Sequence, residues 1–399
     1  MSDKFLPYGK PDLDDADIAE VVKVLQSDFL TTGPLVQEFE EQLCQSVSAD
    51  HAVVCNSGTA ALHLAYMALG LQAGDQIIVP AMTFCATANA AAMCGAEVIF
   101  ADVDPTSGLV TVETLLKAIS KTDPDQLKAI TIVHMNGQMA DMPALYQIAQ
   151  SHNVKIVEDA CHALGTSYEV EEQEYKVGQC AHSDYCCFSF HPVKTVAMGE
   201  GGAVTCRSAV DASLMKKLRS HGLEFEPENF TALPEDAVSN APVWHREMNV
   251  LGYNYRAPDI LCALGISQLK KLTQFKQKRC DLTAAYDAMF DGHSNLLVPI
   301  KRSVGQSVGW HLYPVLIDFK GLGKSREEVV RLLKDKNIGT QIHYTPVPHH
   351  PYWQDRVKGE RFNGAEQYYL SELSLPLYSQ LTTDDAQYVA ETLLSILQN

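Results

Sequence analysis

Short apolar runs alternate with helical patterns between residues 51 and about 206, and this alternation constrains the fold more than any other feature of the sequence. Such an alternation predicts a sheet with crossover helices. Because the runs are apolar almost throughout, we expect strands covered on both faces, in a mostly parallel sheet between helical layers. The predicted strands are 51–55, 76–80, 97–102, 129–133, 155–159, 184–190 and 202–206, with helices near 59–69, 84–94, 111–120 and 141–152.

The rest of the chain predicts a second, smaller domain. A chain of 399 residues exceeds what one hydrophobic core usually supports. We therefore expect a large domain over residues 1–265 and a small α+β domain over 266–399. The patterns after the sheet are a helical stretch from Asp259 to about Phe290, an apolar run at 311–318, a helix at 325–336, the segment 339–344 and a helix after Thr382.

The segment 223–250 interrupts this order. It is rich in acidic residues, Pro and Asn and has no clear periodicity. A long irregular stretch of this kind predicts a surface excursion that acts as a lid or as a dimer contact.

Composition excludes several classes of partner. The formal net charge of −18 would repel a phosphate backbone, so we expect no nucleic-acid binding. The N-terminus has no apolar signal-like stretch, and no long run is free of polar residues, so we expect no membrane span. The 11 cysteines include no C-x-x-C pair, which favours free thiols and a cytoplasmic location. His343, His349 and His350 lack further ligands at metal-binding spacing, so no metal is predicted.

The segment NSGTAAL (56–62) lies where a strand meets a helix, with Gly58 and Thr59 at the helix start. Free N–H groups and the helix dipole favour an anion there, and small residues let a phosphate come close. The alternative is simple helix capping by Ser57 or Thr59.

The segment VEDACHALG (157–165) follows the carboxyl end of a strand, the edge at which α/β sheets usually bind ligands. A buried Asp159 would need a cationic or hydrogen-bonding partner, such as a protonated pyridine nitrogen. Alternatively, Asp159 caps a helix and His162 is a hydrogen-bonded core residue.

The segment SFHPVKTVAMGEGGAV (189–204) places Lys194 five residues after Ser189 and before a glycine-rich turn. A partly desolvated lysine loses proton affinity and can attack an aldehyde as a nucleophile. A lone lysine is usually a solvated surface residue, but these neighbours argue for chemistry. Further along, Tyr253, Asn254 and Arg256 precede a helix, either as ligands or as surface residues.

Taken together, the motifs resemble those of the DegT-type sugar aminotransferases, which are fold-type I enzymes dependent on pyridoxal 5′-phosphate (PLP). The resemblance covers the chain from about Tyr8 to its C-terminus. Its specific parts are FLTTGP (29–34), NSGTAAL, PAMTF (80–84), EDACHALG, SFHPVK, GEGGAV (199–204), GYNYR (252–256) and GTQIHYTPVP (339–348).

The resemblance implies a role for each matching cofactor residue. Lys194 would bind PLP covalently and move protons, and Asp159 would pair with the pyridine nitrogen. The remaining cofactor residues would be Phe84 stacked on the ring, His162 near the ring hydroxyl, and Gly58, Thr59, Ser189 and the partner subunit's Asn254 at the phosphate. A homodimer with shared active sites follows.

The implied substrate is a nucleotide-linked sugar, with Tyr8, Thr31, Arg256 and Tyr344 at matching positions. Within the family, the pairing of SFHPVK with SHG (220–222), NYRAPDILCALGISQLKKL (254–272) and IHY (342–344) is most similar to the transaminases that make UDP-4-amino-4,6-dideoxy-N-acetyl-β-L-altrosamine for pseudaminic acid synthesis. His162 agrees with that subgroup, whereas many members carry Gln there. We therefore expect L-glutamate to donate an amine to a UDP-linked 4-keto-6-deoxy-N-acetylhexosamine.

Three alternatives remain. The substrate could be another nucleotide-linked keto sugar, aminated at C3 or C4. A related dehydratase activity is disfavoured, because such relatives replace the lysine with histidine. A non-catalytic PLP or sugar-nucleotide sensor could retain the fold without turnover.

Overall fold

The computed structural model describes residues 4–234, 238, 241–357 and 359–398, and a seven-stranded sheet forms its centre. Its strand order is β1-β9-β8-β5-β4-β2-β3, and only β9 runs antiparallel to its neighbours. The first nine strands are β1 (His51–Cys55), β2 (Gln76–Pro80), β3 (Glu97–Ala101), β4 (Leu127–Val133), β5 (Lys155–Asp159), β6 (Ser167–Val170), β7 (Gln173–Lys176), β8 (Tyr185–Ser189) and β9 (Gly202–Cys206).

Helices cover this sheet and account for its apolar strands. Every residue of β2 and of β9 is buried, so neither strand has a polar, solvent-facing side. The described helices are α1 (Asp15–Leu25), α2 (Pro34–Val47), α3 (Gly58–Leu69), α4 (Ala86–Met93), α5 (Val112–Ile119), α6 (Met142–Ser151), α7 (Ala209–Leu218), α8 (Asp259–Leu269), α9 (Leu272–Phe290), α10 (Arg326–Asp335), α11 (Pro351–Gln354), α12 (Asn363–Ser371) and α13 (Thr383–Gln398). The predicted fold class is confirmed.

The C-terminal part forms a smaller antiparallel sheet of β12 (Val298–Pro299), β14 (Tyr313–Leu316) and β15 (Glu372–Leu375), in the order β12-β14-β15. The strand β13 (Gln306–Ser307) lies between β12 and β14 in the chain but pairs with β6 and not with this sheet. The segment 339–344 is not a regular strand, but Gln341 bridges to Ser374 at the end of β15. This bridge attaches the segment to the small sheet. The division after residue 265, which lies within α8, stays a prediction.

The helical stretch after Asp259 consists of two helices rather than one. It breaks between Leu269 and Leu272, where the ammonium group of Lys271 pairs with Asp14 and Asp17 of the N-terminal region. The break lets α8 pack on α1 and α2 while α9 packs on α13.

The excursion after α7 closes at its base through β10 (Leu223–Glu224) and β11 (Glu247–Met248), which pair antiparallel. Residues 235–237 and 239–240 of the predicted excursion lie outside the described residues. Within the described part of the chain, no helix is long and apolar enough to cross a membrane.

Candidate active site

A cavity of about 560 Å³ lies where β5 and β8 end and α3 begins. Its volume falls within the range of small-molecule sites. Nine residues predicted from the sequence line it: Tyr8, Gly58, Thr59, Phe84, Asp159, His162, Ser189, Lys194 and Tyr344. Residues from distant parts of the chain therefore meet at one site.

The carboxylate of Asp159, the last residue of β5, is held from two sides. Thr87 of α4 donates its hydroxyl hydrogen to Oδ2 over 2.7 Å. The backbone N–H of Cys161 donates to Oδ1 over 3.2 Å. Only 6% of Asp159 is exposed, so these bonds fix a carboxylate that needs a cationic or donor partner inside the cavity.

Lys194 lies in the loop that follows β8, where its backbone N–H donates to the carbonyl of His191 over 2.8 Å. Burial lowers the pKa of Lys194, whereas Cys161 and Asp159 act in the opposite direction. A lysine with a lowered pKa is more often neutral, and the neutral amine is the nucleophile.

The start of α3 forms a narrow cradle. Ser57 caps the helix by accepting from the N–H of Ala60, and the first turn has N–H groups without intrahelical acceptors. A Cβ on Gly58 would lie 2.9 Å from Cβ of Ser189 and 3.3 Å from Sγ of Cys161. Glycine therefore leaves space that any other residue would fill, and the helix N-terminus favours an anion there.

The ring side chains of His162, His311 and Tyr344 also line the cavity. His162 accepts from the N–H of Asn136 at Nδ1 over 3.4 Å, and its Nε2 lies 2.9 Å from the hydroxyl oxygen of Tyr344. Burial lowers the pKa of His162 and of His311, whose rings are 4.5 Å apart. A neutral His162 that accepts at Nδ1 carries its hydrogen on Nε2 and donates it to Tyr344.

Phe84 and Tyr8 are the other predicted aromatic residues of the cavity. The ring of Phe84 lies 5.7 Å from that of Tyr344, yet 55% of Phe84 is exposed. Tyr8 lies 5.5 Å from the ring of His343. An exposed aromatic face at a cavity mouth is available to stack on a flat ligand.

Three predicted residues do not line this cavity in the single chain. Thr31 and Asn254 are exposed, and Arg256 lines a second cavity of about 610 Å³ beside Glu40 and Arg219. Asn254 was predicted to act in a partner subunit, and its exposure is compatible with that role.

Several residues of the site were missed by the sequence reasoning, among them Thr87, which lies behind Asp159 and not on the cavity wall. Thr87 lies four positions after Thr83 and bonds to it, a helical spacing that could have been noticed. His311 and His343 come from the C-terminal part, where His311 has no motif around it and His343 lies in GTQIHYTPVP but was not assigned a role. Their contribution depends on how the two parts of the chain pack. No group of three or more His, Cys, Asp or Glu that could hold a metal occurs among the described residues.

The residues present fit PLP. The Gly58 cradle suits its phosphate, and the carboxylate of Asp159 suits a protonated pyridine nitrogen. Lys194 supplies an amine of lowered pKa in the same cavity.

Comparison with known proteins agrees with this geometry. A model of the DegT/DnrJ/EryC1/StrS aminotransferase family matches residues 11–394. The UDP-4-amino-4,6-dideoxy-N-acetyl-beta-L-altrosamine transaminase of Campylobacter jejuni strain 81-176 is 37% identical, covering 98% of each chain. PseC of Helicobacter pylori, an aminotransferase involved in the biosynthesis of pseudoaminic acid, superposes with a TM-score of 0.88 at 29% identity over 99% of this chain and 100% of PseC. The PLP form of the Streptococcus pneumoniae putative sugar aminotransferase Spr1654 gives 0.85 at 26% identity over 99% of each.

Proposed function

This chain belongs to the DegT/DnrJ/EryC1/StrS aminotransferase family, and from that premise we propose that it aminates C4 of a UDP-linked 4-keto-6-deoxy-N-acetylhexosamine, with L-glutamate as the amino donor. Family membership confirms the predicted aminotransferase activity and the dependence on PLP. The name of the similar C. jejuni enzyme supports the UDP-sugar, and the role of the similar H. pylori PseC supports the pseudaminic acid pathway.

The observation that carries the proposal is the convergence of Lys194, Asp159 and the Gly58 cradle on one cavity. PLP bound there supplies an electron sink that makes the hydrogen on the amine-bearing carbon acidic. Lys194, at Nζ, takes that proton from one carbon and returns it to another. Asp159 would accept a hydrogen bond from the pyridinium N–H and would keep that nitrogen protonated.

Gly58, Thr59 and Ser189 would hold the phosphate of PLP, while Phe84 would stack on its ring and His162 would lie beside its ring hydroxyl. The bond from His162 to Tyr344 fixes both side chains. These assignments are supported by the one cavity that all the residues line. The rings of His162 and Tyr344 would then be held in place before the ligand binds.

A homodimer with shared active sites completes the proposal. Asn254 would reach the phosphate of the partner's cofactor, and Thr31 and Arg256 would bind the sugar nucleotide across the same interface, while Tyr8 and Tyr344 bind it from their own chain. This division is supported by the location of Thr31, Asn254 and Arg256 outside the Lys194 cavity, which Tyr8 and Tyr344 line. An arginine fork suits a diphosphate, to which it donates two parallel hydrogen bonds.

Two further expectations remain proposals. A cytoplasmic location is supported by 11 cysteines that are all free thiols. We also propose that residues 1–265 form the large domain and 266–399 the small one.

The test incubates the purified protein and PLP with L-glutamate and one of two UDP-4-keto-6-deoxy-N-acetylhexosamine isomers, L-arabino or D-xylo. Mass spectrometry of the sugar nucleotide detects the amine. We expect amination of the L-arabino isomer and no turnover by Lys194→Arg, because arginine is too basic to move the proton. Lys320→Arg, at an exposed position, is the matched control.

Each other outcome contradicts a different part of the proposal. Amination of the D-xylo isomer alone would assign a neighbouring sugar pathway. Amination of a UDP-linked 3-keto sugar, with neither 4-keto isomer aminated, would move the reacting carbon to C3. No amination of either isomer would favour a different sugar or the non-catalytic sensor.

A further inference from the structure

A buried chain of hydrogen bonds leads from the small sheet into the Lys194 cavity. Oγ of Ser374 lies 2.5 Å from Oε1 of Glu372 and 2.9 Å from Nδ1 of His343. The backbone N–H of His343 donates to Oε2 of Glu372 over 3.0 Å. Glu372 and Ser374 have no exposed surface, and His343 lines the cavity.

The ring of His343 therefore has one nitrogen inside the protein and one available to a ligand. Nδ1 is engaged by Ser374, whereas Nε2 has no hydrogen-bond partner among the described residues. His343 and Lys194 line the same cavity. Atoms bound near Lys194 thus lie within reach of this ring.

We propose that Glu372, Ser374 and His343 form a proton relay that ends at Nε2 of His343 and delivers a proton to an oxygen of the bound keto sugar. The proposal deepens the proposed function, on which it rests for the identity of the acceptor. Replacing a keto oxygen by an amine releases that oxygen as water, and the departing oxygen must gain protons. His343 would touch the substrate, whereas Glu372 and Ser374 act through it.

The proton count balances at every bond. The Nε2–H bond of His343 breaks as the proton moves to the sugar oxygen, and Nδ1 gains the hydroxyl hydrogen of Ser374. Ser374 in turn takes the proton of Glu372, which becomes a carboxylate. In the charged state Glu372 only accepts, so Ser374 points its hydrogen at Glu372 and His343 carries its hydrogen on Nδ1.

The ionisation properties of the residues fit such a relay. Burial raises the pKa of Glu372 to about 8, against the opposing effects of Ser374, the N–H of His343 and Arg326. Burial lowers the pKa of His343 to about 3, so its ring stays neutral and changes tautomer instead of charge. At neutral pH Glu372 holds the proton that the relay delivers.

Other titratable groups surround the relay. Tyr344 and Tyr368 lie near Glu372, and burial, with Glu372 contributing, raises the pKa of both. Tyr8 and His162 lie beside the His343 ring, at 5.5 and 6.5 Å between ring centroids. The directions of their pKa shifts leave all four of these side chains uncharged at neutral pH. The ionisation of Glu372 therefore decides which tautomer the His343 ring adopts.

The relay is tested first by nitrogen NMR of the full chain with labelled histidine, without sugar. His343→Gln identifies the His343 signals. We expect the His343 ring to carry its hydrogen on Nε2 at pH values well below 8 and on Nδ1 at pH values well above 8. Glu372→Gln should hold the Nε2–H form at both values, because its amide donates to Ser374 as a protonated Glu372 does.

Ser374→Ala should also abolish the pH-dependent tautomer change. Ser371→Ala should keep it, because Ser371 precedes Glu372 in the chain but its hydroxyl donates to the backbone carbonyls of Gln367 and Tyr368. A wild-type ring with one tautomer throughout would overturn the proposal. So would an unchanged transition in Glu372→Gln or Ser374→Ala.

Turnover provides an independent measurement. We expect wild-type kcat to fall as pH rises through Glu372 titration, and Ser374→Ala to lower kcat about tenfold with little change in KM, since a donor is lost. A normal tautomer change without sugar amination would contradict the proposed function and leave the relay standing. Amination without the tautomer change would contradict the relay alone.

Discussion

Thr87 donates its hydroxyl hydrogen to Oδ2 of Asp159 over 2.7 Å. The hydroxyl of Thr87 also lies 2.8 Å from that of Thr83 and 3.1 Å from the carbonyl oxygen of Phe84. The start of α4 thereby aligns the carboxylate at the end of β5 and leaves its other face to a ligand. An orientation fixed before binding costs nothing at the moment of reaction.

Thr87→Val should therefore weaken catalysis without unfolding the protein. Valine keeps the shape but loses a hydrogen bond to a charged group, worth about 1.5–3 kcal/mol. We expect kcat/KM for the amino donor to fall roughly 10- to 100-fold. Thr122→Val is the control and should retain activity, because the hydroxyl of Thr122 donates to the carbonyl of Ile119 and neither residue lines the cavity. Equal kinetics of the two variants would contradict the aligning role.

The sequence predicted the large sheet well because its strands are covered on both faces. All residues of a run such as QIIVP at 76–80 are buried when the strand is covered by helices on both faces of the sheet. The predicted bounds of all seven strands lie within two residues of those observed. Local pattern and tertiary environment agree in this part of the chain.

The site was predictable only where its residues lie close together in sequence. The cradle at Gly58 and the loop at Lys194 carry their chemistry in short motifs. The relay residues Glu372 and His343 are distant in sequence and meet only because Gln341 bridges Ser374. No periodicity or spacing records such a contact, since tertiary packing creates it.

Phe84 should contribute to cofactor affinity more than to stability. Its ring is 55% exposed at the cavity, so removing it leaves little void in the chain itself. Aromatic stacking is worth about 0.5–1.5 kcal/mol beyond the buried area, so Phe84→Ala should weaken PLP binding roughly tenfold. Tyr352→Ala removes a ring of equal exposure outside the cavity and should leave PLP binding unchanged. Titration of the cofactor-free protein with PLP measures both.

Lys194 should make the cofactor-free protein less stable at neutral pH than at alkaline pH. Burial lowers its pKa below the ordinary value of 10.5, so between the two pKa values the unfolded chain binds more protons than the folded one. The free energy of unfolding therefore rises with pH in that window, and the destabilisation is complete below it. Lys194→Met should be more stable than the wild type at neutral pH, by a difference that shrinks as pH rises.

Urea unfolding of both cofactor-free proteins at several pH values measures this difference. The exposed Lys320→Met variant corrects for the loss of a charge. A difference between wild type and Lys194→Met that is constant with pH would show that Lys194 is not the titrating group.

The proposed dimer makes a sharp prediction about Asn254, which is exposed and lies outside the cavity of its own chain. Its carbonyl accepts from the side chain of Asn56, over 3.4 Å, next to the cradle. If Asn254 serves the partner's cofactor, Lys194→Ala and Asn254→Ala damage sites on different chains. A mixed dimer then has one intact site, built from Lys194 of one chain and Asn254 of the other.

Unfolding and refolding the two inactive variants together should restore about a quarter of wild-type activity, because half of the dimers are mixed and each has one working site of two. Mixing Lys194→Ala with Asp159→Asn is the matched control and should restore none, since both residues line the cavity of a single chain. If Asn254 acted within its own chain, the first mixture would stay as inactive as the second. Activity measured against the fraction of mixed dimers therefore separates a shared site from one that each chain completes alone.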